Sequence, residues 1–279
     1  MMMRTGRMAK AIMGLLLGSA VALSAASASA QSTMDTMLKE KTLRIGWIMS
    51  PPGAQKDPRT GELGGYYIDM IRFILEQVNV KPEFVETKWG TFAAGLQSRQ
   101  FDLVTAGTFA SIPRAASVSF TKPIFYMGYG ATVRKGDTRF KTLEDIDQKG
   151  VKVAVVQGSG GHEYVKRNFK NAEIVILGTA DLSASLVEVQ AGRADVAVED
   201  AWATQRYVQA HPQLVNLFAD NPYNLQPIGW ALRKDDHELR QFIDTALEWM
   251  RINGKVEEFV KKYPSSGRFV VRETYRAIE

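Results

Sequence analysis

The chain has 279 residues, with 35 basic and 30 acidic side chains, three histidines and no cysteine. Its net charge of +5 is spread along the whole length, which excludes a basic stripe for nucleic acid and a polybasic membrane patch. The lack of cysteine excludes disulfides, thiol catalysis and a lipid-modified cysteine behind a leader.

Arg4, Arg7 and Lys10 open the chain with positive charge, and Ala11 to Leu23 is uncharged and largely apolar. Ser27-Ala28-Ser29-Ala30 then offers the small residues that a signal peptidase reads. This is the pattern of a secretory signal peptide over residues 1–30, with cleavage expected after Ala30. The apolar run falls short of the roughly 20 residues that span a bilayer. The leader carries three basic residues and no acidic one, so the +5 falls to +2 over the remaining 249 residues. That length allows one large domain or two small ones, with enough core to fold without disulfides. A bacterial periplasm fits this combination.

The rest of the chain alternates strand and helix patterns. Leu43-Arg44-Ile45-Gly46-Trp47-Ile48 reads as a strand. Met70, Ile71, Ile74, Leu75 and Val78 recur at helical spacing and predict a helix over 69–78. Glu83 to Val85 reads as a strand, 91–98 as a helix, and Phe101 to Thr105 as a strand. After Tyr129 to Val133, Thr142-Leu143-Glu144-Asp145 looks like a capped helix start. Val151 to Val156 is a near-continuous apolar strand of the kind covered on both faces. It runs into Gln157-Gly158-Ser159-Gly160-Gly161 and a helix through Phe169. Strands are expected at 173–177, 196–198 and 228–232, and helices at 181–191, 201–210 and 236–253, with a short one through Tyr263. The tail from Ser265 is polar.

This alternation argues for an α/β fold with mainly parallel sheets and crossover helices. Two α/β units meet near 128–133 and again near 224–228 with no linker between them. That suits two lobes joined by paired strands around a cleft. Ligands of open α/β sheets bind at the carboxyl ends of strands, and three such positions carry suitable chemistry. Arg114 follows the small residues from Thr105 through Gly107 in an expected loop. Its guanidinium fork can grip a carboxylate, although most arginines are solvated surface residues. Ser159 and Gly160 lie on a glycine-rich strand-to-helix turn whose N–H groups attract an anion, or simply make a tight turn. Asp200 ends a strand, where it can neutralise an ammonium group, N-cap the helix from Ala201, or do both. Together the three match a zwitterionic α-amino acid.

Catalytic constellations are thin. His162, His211 and His237 are not at metal-ligand spacing, and no Gly-x-Ser-x-Gly elbow occurs. No catalytic residue, metal or cofactor is called for. Glu199 supplies a spare carboxylate beside Asp200, and strand alternation predicts that it faces away from the cleft.

The ordered set of motifs resembles the periplasmic solute-binding proteins of polar amino-acid ABC importers, known as family 3. It runs from Leu43-Arg44-Ile45-Gly46 through Gly64-Gly65-Tyr66, Phe101-Asp102-Leu103 and Pro113-Arg114. It continues with Val155-Val156-Gln157-Gly158-Ser159, Ala191-Gly192-Arg193-Ala194-Asp195 and Leu232-Arg233-Lys234-Asp235. The resemblance implies a type II periplasmic-binding-protein fold: lobe 1 from 41–130 and 227–279, lobe 2 from 131–226, with two hinge strands. It also implies that Arg114 holds a ligand α-carboxylate with help from Ser159 and Gly160, and that Asp200 holds the α-amino group. The implied partner is the membrane permease of an ABC importer, and the implied state is a monomer. Phe109 stands where the family commonly has a hydroxyl residue, Gly160 where it has a threonine, and Tyr67 where it has an acid. The pocket is therefore expected to gain Phe109, Trp47 or Trp89. Secreted cyclohexadienyl dehydratases resemble these binding proteins and are the competing reading. A receptor sensor domain is a third, disfavoured by the lack of an apolar span after the domain.

Overall fold

The structure is a computed structural model that describes residues 32–263. The candidate signal peptide and the tail from Ser265 lie outside the described residues. Among the described residues, no helix is long and apolar enough to cross a membrane.

In the first half, strand β1 (Thr42–Trp47) pairs in parallel with β4 (Lys81–Glu86) and β5 (Leu103–Phe109). Helix α2 (Tyr66–Glu76) and helix α3 (Phe92–Gln97) are the crossovers between them. The apolar stripe of α2 is why it docks: Tyr66, Tyr67, Met70, Ile71, Ile74 and Leu75 are all buried. In the second half, β8 (Lys152–Val156) pairs in parallel with β9 (Glu173–Leu177) and β10 (Val196–Asp200). Helices α6 (Gly160–Asn168) and α7 (Ser183–Gln190) connect these strands, and α8 (Ala201–Ala210) follows. Val153 and Val155 of β8 and Val196 and Val198 of β10 pack with Val165 of α6 in a separate core.

Two ten-residue strands join the halves, β7 (Phe125–Arg134) and β12 (Tyr223–Leu232). Phe125, Tyr126 and Met127 of β7 pair with Ile228, Pro227 and Gln226 of β12. Further along, Tyr129 to Thr132 pair with Asp200 to Ala197 of β10. Strand β12 continues the other way, with Ala231 and Leu232 against Val104 and Leu103 of β5. The sheet order is therefore β4-β1-β5-β12-β7-β10-β8-β9. Two mainly parallel lobes are bridged by two antiparallel strands, as the alternation and the missing linker implied. Helices α9 (His237–Ile252) and α10 (Lys255–Lys261) return to the first lobe, where Ile243, Leu247 and Phe259 join the core of Ile45 and Leu103.

Several elements differ from the sequence reading. Thr33–Glu40 is a helix, α1, capped by Ser32 and anchored by buried Met37; one buried apolar residue in eight gives little periodic signal. Strand β5 runs on to Phe109 instead of ending at Thr105, because Thr108 and Phe109 find partners in Gly229 and Ile228 of β12. Arg114 sits in a short helix, α4 (Ile112–Ala115), and not in a loop. The remaining short pieces are made by long-range pairing. They are β2 (Gln55–Lys56) with β3 (Leu63–Gly64), β6 (Ser119–Phe120) on β12, and β11 (Leu214–Asn216) on β7. Helix α5 (Leu143–Ile146) carries the expected capping box between Thr142 and Asp145.

Candidate functional site

The carboxyl ends of β5, β8 and β10 meet at the line between the lobes. Beyond β5 the chain turns into α4, whose single turn swings Arg114 inward. One guanidinium nitrogen donates to the Phe109 carbonyl at 3.2 Å. The other donates to the Gly158 carbonyl of the second lobe at 2.6 Å. The guanidinium also lies 5.8 Å over the Phe92 ring. Burial lowers its pKa, an effect only partly offset by Glu163. Both acceptors are neutral carbonyls, and among the described residues no carboxylate forms an ion pair with this half-buried guanidinium.

Beyond β8, Gly158 takes a φ of +75° and packs its Cα side against Gly90 and the Trp89 carbonyl carbon of the first lobe. A Cβ there would lie 2.5 Å from the Gly90 backbone, which is why the turn needs glycine. Ser159 is buried, N-caps α6 and accepts the His162 N–H at 3.0 Å. His162 Nδ1 accepts the Gly158 N–H at 3.0 Å, so this ring holds the turn from within. Burial lowers the His162 pKa and favours the neutral ring that this bond requires. An α-helix leaves its first N–H groups without helical partners, and those of α6 begin at Gly160.

Beyond β10, Asp200 N-caps α8, accepting the N–H groups of Trp202 and Ala203 at 3.0 and 2.6 Å. Burial raises its pKa, and the two N–H bonds and Arg206 oppose the rise. The cap and a charge aimed into the cleft thus coexist in one side chain.

These residues share one cleft. Its inner end is lined by Phe109, Arg114, Ser159, Gly160, Glu199 and Asp200. Trp89, Gly107 and Asp200 also line the adjoining space, where Tyr66, Tyr67, Met127, Trp202 and Arg206 form much of the wall. Gly107 is needed there because a Cβ would lie 2.6 Å from the Tyr67 hydroxyl. The lobes touch directly across the cleft. Trp89 Nε1 donates to the Ala180 carbonyl at 3.1 Å. The Phe109 ring packs on Gly160 and lies 4.8 Å from the Tyr129 ring.

Trp47 is not brought to the site. It is buried with Ala54 and Ile68, with the Lys56 ammonium 5.1 Å over its ring. Glu199 is also placed differently from the expectation that it faces away, since its carboxyl lines the inner end of the cleft. The β10–β8 ladder stops at Ala197 and Ala154, leaving the Val156 N–H without a strand partner on that side. Glu199 Oε1 takes that N–H at 2.7 Å and accepts the Ser185 hydroxyl at 3.4 Å, and the Ser159 side chain also hydrogen-bonds the carboxyl. Desolvation raises its pKa well above the ordinary carboxylate value. The residues that the sequence reading missed are Tyr66, Met127, Trp202 and Arg206. Trp202 and Arg206 share a face of α8 four residues apart, a signal available once Asp200 is taken as the cap.

The "Probable amino-acid ABC transporter-binding protein" of Haemophilus influenzae is 29% identical, over 87% of this chain and 92% of its own. The cyclohexadienyl dehydratase of Pseudomonas aeruginosa is 25% identical, over 82% of this chain and 84% of its own. Among solved structures, an ancestral amino acid-binding protein, a precursor of cyclohexadienyl dehydratase, superposes with a TM-score of 0.74. It is 30% identical, over 83% of this chain and 99% of its own. The model of one family matches residues 43–266. The chain belongs to the bacterial extracellular solute-binding proteins, family 3.

Proposed function

We propose that this protein captures an amino acid or close analogue in the periplasm and delivers it to the permease of an ABC importer. One observation carries the reading. Arg114 of the first lobe and Asp200 of the second are both half-buried, both line the same cleft, and no ion pair joins them. Burying an ion costs several kcal/mol unless it is paired. An α-amino acid supplies both missing partners, its carboxylate to Arg114 and the start of α6, its ammonium to Asp200. The names of the relatives point to the same ligand class.

The lobes divide at the hinge strands, 41–130 with 227–279 against 131–226. An amino acid held first by Arg114 is enclosed when the hinge brings Ser159 and Asp200 onto it. Binding to both lobes shifts the population to the closed form, which the permease reads. Residues 1–30 act as the export signal. The test is thermal unfolding of the mature protein with each common amino acid. A ligand at one hundred times its Kd adds about 2.7 kcal/mol of stability. Arg114→Ala leaves a buried carboxylate without its charged partner, which costs at least about 2 kcal/mol of binding, so its shift shrinks or vanishes. A shift that persists unchanged in that variant rejects the assignment.

A second reading rests on Glu199. A buried carboxyl whose pKa is pushed well up, lining the inner end of the cleft, is equipped to act as a general acid. A dehydratase eliminating water and carbon dioxide from prephenate or arogenate would use such a group. Formation of phenylpyruvate or phenylalanine on incubation with those substrates decides for it, and none decides against it.

A further inference from the structure

The proposed headgroup site leaves one charge of the cleft unused. Arg206 lies on α8 one turn beyond Trp202, in the wall of the wider space. Its Nε is buried and has no hydrogen-bond acceptor. Its charge reaches Asp200, yet the two form no ion pair and are therefore more than 4.0 Å apart. Asp200 instead spends its Oδ1 on capping the helix. The other ionised group on this wall, Asp181, is exposed, and its Oδ1 accepts the Ser183 N–H at 2.9 Å. A guanidinium held partly out of water beside Tyr66, Trp202 and Met127, with donors unspent, is a site for an anion.

We infer that Arg206 binds an anionic group at the far end of the ligand's side chain, so that the ligand class is the acidic amino acids and their longer homologues. This rests on the amino-acid reading above and names the side chain that the wider space accepts. The spacing supports it. Asp200 and Arg206 are six residues apart, about 9 Å along a helix axis at 1.5 Å per residue. Helical side chains tilt toward the N-terminus, which brings the guanidinium back toward Asp200. A carboxylate three or four bonds from Cα reaches that point while the ammonium stays on Asp200. Between the two ends the ligand's methylenes pass the apolar wall.

The test is calorimetric titration of the mature protein with L-glutamate and L-2-aminoadipate, against the neutral L-glutamine and L-norleucine. The expected result is at least tenfold tighter binding of the acids. In Arg206→Gln that preference collapses, the acids losing at least tenfold more affinity than the neutral ligands. Arg206→Lys, which keeps the charge, retains part of the preference. Melting curves of the variants confirm that each is folded. Equal binding of acids and neutrals, or tighter binding of neutrals, overturns the inference while the amino-acid reading stands. An equal loss for every ligand in Arg206→Gln also overturns it, because Arg206 would then serve Asp200 alone. Folded protein that binds no amino acid at all overturns the amino-acid reading and this inference with it.

Discussion

Gly160→Ala isolates closure of the cleft from the chemistry inside it. Gly160 opens α6 in the second lobe, and Phe109 ends β5 in the first. A Cβ built on Gly160 would lie 2.1 and 2.5 Å from Cδ2 and Cε2 of Phe109, and 3.2 Å from Cε1 of Tyr129. Carbon atoms prefer separations near 3.5–4.0 Å, so the ring must retreat by about 1.4 Å or more. It has little room, being 4% exposed and packed 4.8 Å from the Tyr129 ring. Overpacking of this kind costs about 1–3 kcal/mol. The backbone of Gly160 is not in the positive-φ region, so alanine brings no other strain, and an open form does not feel the clash. The cost therefore falls on the closed form alone. At 1.4 kcal/mol per tenfold, the Kd of the proposed amino-acid ligand rises about 5- to 150-fold, and the unliganded melting temperature hardly moves. Titration calorimetry and a thermal melt read the two quantities. Phe109→Ala added to Gly160→Ala removes the ring and returns most of the affinity. An unchanged Kd, or a loss matched by a lower melting temperature of the free protein, would refute the claim that these residues meet only on closure.

The remaining predictions separate the roles of single side chains. Asp200→Ser keeps an acceptor for the Trp202 and Ala203 N–H groups but removes the charge. It should preserve stability and abolish binding, whereas Asp200→Ala should also lose about 1 kcal/mol of helix capping; chemical denaturation of both variants tells them apart. Asp102 accepts from Arg44 at 2.8 Å and from Arg233 at 3.0 Å, and Arg233 is only 5% exposed. Asp102→Ala leaves Arg233 with Asp236 as its one remaining acid and should cost about 3 kcal/mol, the low end for a broken buried pair. Ligand affinity should stay the same, and a loss of stability under about 1 kcal/mol would count against a structural role. His162 has a lowered pKa in the folded protein, so the unfolded chain takes up its proton first. Its contribution is complete above the ordinary value of 6.5 and is lost as the pH falls below that toward the folded value. Melting temperature followed from pH 7.5 to 5 should therefore drop more in the native protein than in His162→Gln.

What could be read from the sequence follows the physical range of each signal. The valine runs of β8 and β10 and the stripe of α2 are local patterns, and they placed the sheet and its crossovers. The strand ends placed Arg114, Ser159 and Asp200, because the carboxyl edge of a parallel sheet is a one-dimensional feature that the chain itself encodes. Trp47 and Phe109 show where that stops. Each is an aromatic on or beside a strand, and nothing local separates them. Trp47 turns onto Ala54 and Ile68 of its own lobe, while Phe109 meets Gly160 of the other. The missing Cβ of Gly160 and the ring of Phe109 are 51 positions apart in the chain, and only the closed cleft makes them one feature. Glu199 is a similar case, because its direction is set by an unpaired N–H on β8 and not by the alternation of its own strand. Several motifs that carry the family resemblance also turn out not to line the cleft. Arg44, Asp102 and Arg233 come from three separate motifs and meet in one partly buried ion-pair network at the far end of β1 and β5 from the cleft. Those three side chains therefore report the fold.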